Sequence, residues 1–569
     1  MQQEQTRASR RGWSYWRVTV AAVVAIVLVV SQLASYKPHF DTHLAKHRIL
    51  RNLQERPALR LKFQLKRSSM NVHGVSAFDV LATPSPAKSL VGFNGQAMFQ
   101  EGGATHEYSL VDGTAYYTHR PGGRDDEGES GCMPSSLLPP IENLMSAIDT
   151  ATTATHLVEE RVVQALCPTG ALLAFTFAGD DLLLCSQQSG FASLQDSGFK
   201  IFGSDLNIDV SYEQFAPVIE APSIPAGAAL KCGKVRSSKF AAPSAMSLFA
   251  RSFSEWGHRT LRSEAADFSF EEVVQTIVGD DDSSCSCSGA QRSCVFIAGL
   301  SSHDDYGLTD YDPEEYFGSE IQDHAPCCSS IQYITLATHE NNWYDVAFQQ
   351  RLVDLLLQVS GTSDATTRTV KDTIVVAHSM ANNILSGAIA NSLCTLDPSS
   401  TWVAASAPME GSMGSNYLQE ACDGTLTDIV QGVVDLFDGC PPSTGRISLA
   451  YQGTNYSTAE MNGAYAAAQT AYVANVDAVM CSNGYSGLVS AMEAMYALAG
   501  GVVPHKSSEN DGIVEYQSCA AGLSMDLFSN SYDSTYYLTE LNHVDTTFRY
   551  GDGLFSDTKK PMKWFECLL

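Results

Sequence analysis

The 569-residue chain is 44% hydrophobic and 17% charged, which is the composition of ordinary globular protein and leaves room for about two to four domains. Its formal net charge is −28, with a basic excess in the first 67 positions and a strongly acidic remainder. A body of that sign repels phosphate backbones, which excludes nucleic acid as a partner.

The amino-terminal segment carries an address. Arg7, Arg10, Arg11 and Arg17 precede "VTVAAVVAIVLVVSQLAS", a run with no charged residue. Its length suits a membrane span or the core of a signal peptide. The long polar region ahead of it and the poor cleavage site in "SQLAS" favour a signal-anchor over residues 1–35. Lys37, Lys46, Arg48 and Arg51 follow closely, so the charge pattern does not fix its orientation. Either form directs the chain into the secretory route, as a single-pass membrane protein or a secreted one.

The fifteen cysteines fit that compartment. They lack a repeated CxxC pattern, which favours disulfides over a zinc ribbon, although "CSC" at 285–287 and "CC" at 327–328 are compatible with metal. An odd count leaves at least one thiol unpaired within the chain. Asn455, in "NYS", is the glycosylation sequon.

Residues 36–58 read as a basic, polar stem. From 59 to 235 the texture is that of β-strands. "LRLKFQLK" alternates apolar and basic residues, and "HEYSLVDGTAYYTH" sets an Asp-Gly turn between two strand-like runs. An antiparallel sheet, or a curved or half-open barrel, of unknown role is expected there. Its outline resembles lipoprotein-carrier β-sheets, with no motif to carry the likeness. Residues 236–289, rich in Ser and Ala and ending in "GDDDSSCSCSG", read as a linker.

From 290 to 569 the pattern becomes α/β. "CVFIAG", "IQYITLA", "TIVVA", "TWVAASAP" and "RISLAYQG" are strand-like, and the first four are apolar almost throughout. Helical stretches lie between them, among them one with a stripe of Phe348, Leu352, Leu355, Leu356 and Val359 closed by Gly361. Apolar strands alternating with helices predict a mostly parallel sheet covered on both faces. An Ala- and Met-rich stretch, "GAYAAAQTAYVANVDAVMCSNGYSGLVSAMEAMYALAGG", suits either lid helices over an apolar pocket or ordinary packed ones.

"TIVVA" runs directly into Ala377-His378-Ser379-Met380-Ala381 and then a helix. A serine on a strand-to-helix turn with small residues two before and two after it has the context of a nucleophile elbow, with alanines in place of the usual glycines. A serine nucleophile needs a base, and the base needs an acid to orient it. Asp511, in "SSENDGIVEYQSC" before a short apolar run expected as a strand, and His543, after the β-rich "YYLTEL", stand at element ends in the order Ser, Asp, His. His378 reads as packing, His303, His324 and His505 as solvated loop histidines, and "YDPEEYFGSE" as an acidic loop.

"AHSMA", "NDGIV" and "NHVD" in that order, with "AASAPMEGS", resemble bacterial triacylglycerol lipases of the α/β-hydrolase superfamily over residues about 292–550. The resemblance implies an α/β-hydrolase domain with a Ser379–His543–Asp511 triad. It also implies an oxyanion hole from the backbone N–H groups of Met380 and Leu300. Ala298-Gly299 stands where the family has His-Gly. Some relatives bind calcium through positions matching Asp545 and Arg549; an arginine there repels a cation, so no metal and no cofactor is expected. The function implied is serine ester hydrolysis of the lipase or carboxylesterase type, on a lipid or other small ester, with the membrane as a further partner through residues 1–35. The alternatives are a non-catalytic secreted or surface binding protein with a degenerate hydrolase fold, and an acyltransferase using the same triad. The oligomeric state is not readable from the sequence.

Overall fold

The computed structural model describes residues 42–85, 92–122, 128–133, 143–154, 160–168, 170–187, 198–224, 284–424, 433–434, 439–488 and 493–569. The expected signal-anchor and nearly all of the expected linker lie outside them. Among the described residues no helix is long and apolar enough to cross a membrane.

Two sheets organise the chain. The first comprises β1 (Ala58–Leu65), β2 (Ala77–Pro84), β3 (Phe93–Glu101), β4 (Ala104–Val111), β5 (Thr114–Arg120), β6 (Glu129–Met133), β7 (Thr152–Thr153), β8 (Gly170–Phe177), β9 (Asp180–Gln187), β10 (Gly198–Phe202) and β11 (Leu206–Glu213). They lie in the order β6-β5-β4-β3-β2-β1-β11-β10-β9-β8-β7, antiparallel throughout, with β1 and β11 side by side at the centre. The turn between β4 and β5 is the expected Asp112-Gly113, both residues at positive φ (49° and 79°), as a two-residue hairpin turn requires.

On β1, Leu59, Phe63 and Leu65 are buried while Lys62 between them is exposed. Alternation of that kind leaves one face needing a cover. Part of the cover is the helix Thr42–Glu55, which buries Ala45, Ile49 and Leu53; the helix Leu144–Thr150 adds Ile148. This corrects the expectation of a polar stem. A narrow stripe at i, i+4, i+8 is sufficient for packing even when Lys, Arg and His fill the remaining positions.

The second sheet contains β12 (Arg292–Ile297), β13 (Gly307–Thr309), β14 (Cys328–Thr335), β16 (Thr373–His378), β18 (Thr401–Ala405), β19 (Ala478–Ser482) and β20 (Tyr536–Thr539); β15 (Thr369–Val370) and β17 (Thr395–Leu396) form a separate short pair. The order is β13-β14-β12-β16-β18-β19-β20, parallel except for β13. Both faces are buried. Val295, Ile297, Val375 and Ala377 enter one apolar cluster; Cys294, Phe296, Ile374 and Val376 enter the other. The helices Val346–Val359, Met380–Ala390 and Ala459–Asn475 supply buried side chains to the first cluster, and Pro561–Cys567 supplies Met562, Trp564 and Phe565 to the second.

Two strand expectations are corrected. "RISLAYQG" does not form the fifth strand: Ser443 accepts the N–H of Arg446 and caps a short helix, Thr444–Ser448. The strand beside β18 is β19, five residues inside the Ala- and Met-rich stretch. The helix before it, Ala459–Asn475, buries Met461, Tyr465, Ala468 and Tyr472 in the core, so that part of the stretch packs and does not cover a pocket.

The sheets meet through buried charge. Arg67 Nη2 lies 2.6 Å from Glu566 Oε2, and Lys563 Nζ lies 2.6 Å from Asp205 Oδ1, with Lys560 Nζ at 3.3 Å from the other carboxylate oxygen. Burial alone raises the Asp205 carboxyl, but Lys563, Lys560 and Arg67 outweigh it and hold it far below the ordinary carboxylate range. His324 is also buried here, with Nδ1 2.8 Å from Glu566, rather than solvated as its loop context suggests.

Six disulfides lie among the described residues, pairing Cys167–Cys185, Cys285–Cys567, Cys287–Cys327, Cys294–Cys328, Cys422–Cys440 and Cys481–Cys519. The "CSC" and "CC" sulfurs are therefore covalently paired. Cys394 is a buried free thiol, pushed up to about 12 by burial. Bridges of this density form in oxidising compartments, the extracellular space or the secretory pathway. Asn455 of the sequon is exposed.

Candidate active site

β16 is buried along its whole length and apolar from Ile374 to Ala377, it ends on His378, and the next residue turns the chain sharply. Ser379 has φ 53° and ψ −128°, a strained conformation for a residue with a Cβ. The turn is held from below. Ser379 N–H donates to Ala405 O at 2.9 Å. The fully buried Asn382 amide donates to Ala377 O at 2.9 Å and to Ala405 O at 3.2 Å, and accepts Trp402 Nε1–H at 3.2 Å. Ala377 and Ala381, the alanines of the motif, are completely buried. The packing between sheet and helix accommodates a methyl at both positions.

β20 ends at Thr539 and delivers His543 to the same edge. Its Nε2 lies 2.9 Å from Ser379 Oγ and its Nδ1 2.7 Å from Asp511 Oδ2. Asp511 lies in a tight turn, and the apolar run after it does not form the expected strand: Oδ1 accepts the N–H groups of Ile513 (2.9 Å) and Val514 (2.6 Å), and a short helix, Tyr516–Ala520, follows. Those bonds satisfy the Ile513 and Val514 N–H groups within the turn, in place of a strand ladder. Burial raises the Asp511 carboxyl, but His543 and the Val514 and Ile513 N–H groups outweigh it and keep it below the usual range. An ionised Asp511 accepts Nδ1–H and leaves Nε2 free to take a proton from the serine hydroxyl.

Leu300 and Ser379 line one narrow cleft with Pro408, Leu449, Ile513, Val514, Ser412, Ser415 and Arg446. Among the described residues no acceptor is found for the backbone N–H of Leu300 or Met380. Gly299, retained from the motif that lacks its histidine, is sterically required: a Cβ there would sit 2.8 Å from the Cβ of Ser379 and 2.9 Å from His378 O.

Sequence reasoning missed a second layer of residues. His378 is more than packing. Its Nδ1 lies 2.6 Å from Tyr316 Oη and its Nε2 3.1 Å from the carbonyl oxygen of His543. Tyr316 Oη also packs against Gly299, where an added Cβ would sit 2.8 Å from it. A hydrogen-bonded path thus joins Tyr316, beside the loop of Leu300, to His543. Burial and the neighbouring His543 drive the His378 pKa well below its ordinary value, so it serves as a neutral bridge with Nε2–H donating. Thr546 Oγ1 supports the same carbonyl at 2.7 Å. Tyr316 comes from the loop read as merely acidic, where Asp312 turns the chain by accepting the Phe317 N–H at 2.7 Å. A histidine ending an apolar strand and an asparagine in the first turn of an apolar helix were the available signals for His378 and Asn382. The His505 side chain, expected in solvent, is enclosed and paired with Glu515 at 2.8 Å, whereas His303 is exposed as expected. Asp545 accepts the N–H of Leu488 at 2.6 Å, and burial pushes its carboxyl up to about 7.

A mostly parallel sheet with a serine at positive φ between strand and helix, and His and Asp after it in the chain, defines a fold of the α/β-hydrolase type. No family model and no curated protein matches the chain. Similar solved structures include a lipase-esterase related protein from Clostridium acetobutylicum (9% identity, 35% of this chain and 76% of that one, TM-score 0.19). A haloalkane dehalogenase loop variant from Bradyrhizobium elkanii shares 12% identity over 37% and 78%, with a TM-score of 0.21. LprF from Mycobacterium bovis shares 12% over 32% and 96%, with a TM-score of 0.18. At such scores the fold rests on the strand order and the elbow themselves.

Proposed function

We propose that the chain is a serine ester hydrolase of the lipase or carboxylesterase type, working through an acyl-enzyme. Ser379 Oγ attacks the ester carbonyl while His543 Nε2 takes its proton, and Asp511 holds the imidazole in the tautomer that allows this and stabilises its charged form. The backbone N–H groups of Leu300 and Met380 receive the oxyanion, each donor being worth about 3 kcal/mol in such sites. His543 then returns the proton to the departing alcohol, and water repeats the sequence to free the acid. The observation that carries the reading is the continuous chain from Ser379 Oγ through His543 to Asp511, mounted on a strained turn. The largely apolar walls of the cleft, Leu300, Pro408, Leu449, Ile513 and Val514, favour an acyl group as the bound portion.

The test is hydrolysis of short- and long-acyl p-nitrophenyl esters by the full chain beside Ser379→Ala. The expected loss is about 10⁵- to 10⁶-fold in kcat, with folding unchanged. No turnover on any ester, together with no labelling of Ser379 by a fluorophosphonate, would mean a binding protein instead. Product analysis with an added alcohol separates hydrolysis from acyl transfer.

A further inference from the structure

The antiparallel sheet carries a cluster that the hydrolase chemistry does not use. Phe99 of β3 pairs with His106 of β4, so Glu101, two residues after Phe99, shares a face with His106. The next register pairs His106 with His119 and Tyr108 with Tyr117 of β5. His73 reaches this face from the turn Val72–Val75, at φ 49°, an uncommon conformation for a residue with a side chain.

The nitrogens converge on one carboxylate. His73 Nδ1 is 2.6 Å from Glu101 Oε2, and His106 Nε2 is 3.7 Å from the same oxygen, outside hydrogen-bond range. The other nitrogen of each ring is engaged by a phenol, His73 Nε2 with Tyr108 Oη and His106 Nδ1 with Tyr117 Oη, both at 2.7 Å. Without an ion, His73 Nδ1–H donates to Glu101 and Nε2 accepts from Tyr108; with an ion in place of that hydrogen, each outer nitrogen would donate to its phenol oxygen and each inner one would present its lone pair, the way metal-binding histidines are oriented. The imidazoles are two-thirds or more shielded, at 15% and 12% exposure, while the carboxylate is open to solvent at 55%.

We propose that His73, Glu101 and His106 form a binding site for a divalent transition-metal ion, with zinc the best match. The three donor atoms lie within 4.8 Å of one another. Zinc at its usual bond lengths of about 2.0–2.2 Å to nitrogen and oxygen needs donors about 3.4 Å apart, a separation the observed 2.6 and 3.7 Å bracket. Two imidazoles and one carboxylate suit zinc over magnesium or calcium, which take oxygen ligands, and leave a fourth position for water. The ion would tie the turn bearing His73 to the sheet. That turn directly follows Arg67 and Ser69, the residues that meet Glu566 and Asp552 of the hydrolase domain. Metal binding would thereby steady the segment joining the two sheets.

The test is calorimetric titration of the tag-free, chelator-treated full chain with Zn²⁺. One equivalent is expected to bind, with no heat from Mg²⁺. His73→Ala and His106→Ala are expected to abolish uptake, and Tyr117→Phe to weaken it by roughly 10- to 100-fold, as loss of an outer partner does. The Co²⁺ form of the unaltered protein should show the intense visible bands of a low-coordinate site, a readout that holds even where a variant fails to fold. Absence of Zn²⁺ uptake, uptake unchanged in both histidine variants, or uptake lost instead with Glu340→Gln at the exposed His303 pair would overturn the proposal.

Discussion

The parallel sheet and the β2–β3 side of the antiparallel sheet treat polar residues in opposite ways, and this decides where chemistry can be recognised. In the parallel sheet every residue of β16 is buried, as are Cys294 to Ile297 of β12. In the antiparallel sheet β3 buries only Phe93 and Phe99 of nine residues, and β2 only Ala82 of eight. A polar side chain at the end of an apolar strand stands out, because desolvating it requires a partner. The same side chain on a half-solvated sheet is background. The parallel sheet therefore announces its site and the antiparallel sheet conceals what it holds.

The strongest test of this contrast is at the boundary, where the antiparallel sheet does bury charge. Asp205→Asn removes the carboxylate that pairs with Lys563 and Lys560 and leaves the two buried ammonium groups without that ion-pair partner, near Asp180 and Asp557. The expected cost is about 3–5 kcal/mol, read as a lowered urea midpoint at pH 7. The pH dependence follows from the sign of the shift. The folded-state pKa of Asp205 is depressed, so its stabilisation is present above the ordinary carboxylate value, near 4, and is lost as pH falls toward the folded value. The difference between wild type and variant should therefore shrink below about pH 4. A difference that stays constant with pH would show that the carboxylate is not what joins the sheets.

Next in size is Gly299→Ala, which probes the opposite edge. The added methyl would meet Ser379 Cβ and His378 O at 2.8 and 2.9 Å and must displace the loop that carries Leu300 N–H. Loss of one such donor costs about 10²- to 10³-fold in kcat. Ester turnover should fall by that amount while the circular dichroism spectrum is retained. A fully active Gly299→Ala would remove Leu300 from the proposed oxyanion hole.

The sequence made the elbow and its partners legible for a physical reason. Ser379, Asp511 and His543 each follow or flank short apolar runs, and their order along the chain, Ser, Asp, His, is the one this arrangement of strands and turns calls for. Tyr316 was illegible because a 3₁₀ turn set by Asp312 aims it, and a run of acids reads as solvated surface. The strand Ala478–Ser482 was hidden by its length and by helical neighbours of the same Ala-rich composition. The helix Thr42–Glu55 was hidden by the basic residues around a three-residue stripe. The His73 cluster depends on the β3–β4 register and on a turn many residues earlier, and no linear pattern encodes either.

The smallest expected effect belongs to the antiparallel sheet's exposed charges. Arg60 makes two short ion pairs, to Asp79 and to Glu213, both at 2.8 Å, and these bridge β1 to its neighbours on either side. By geometry they match the buried pairs around Arg67. Their side chains are 34–44% exposed, however, so water already solvates each charge and screens the attraction, whereas the Arg67 side chain is fully enclosed. Exposed pairs contribute about 0–1 kcal/mol, and removing one partner leaves the other hydrated. Arg60→Ala should therefore shift the urea midpoint less than Asp205→Asn does, and added salt should shrink that shift further. A shift as large as that of the buried site would mean that distance, and not desolvation, sets the value of charge in this sheet.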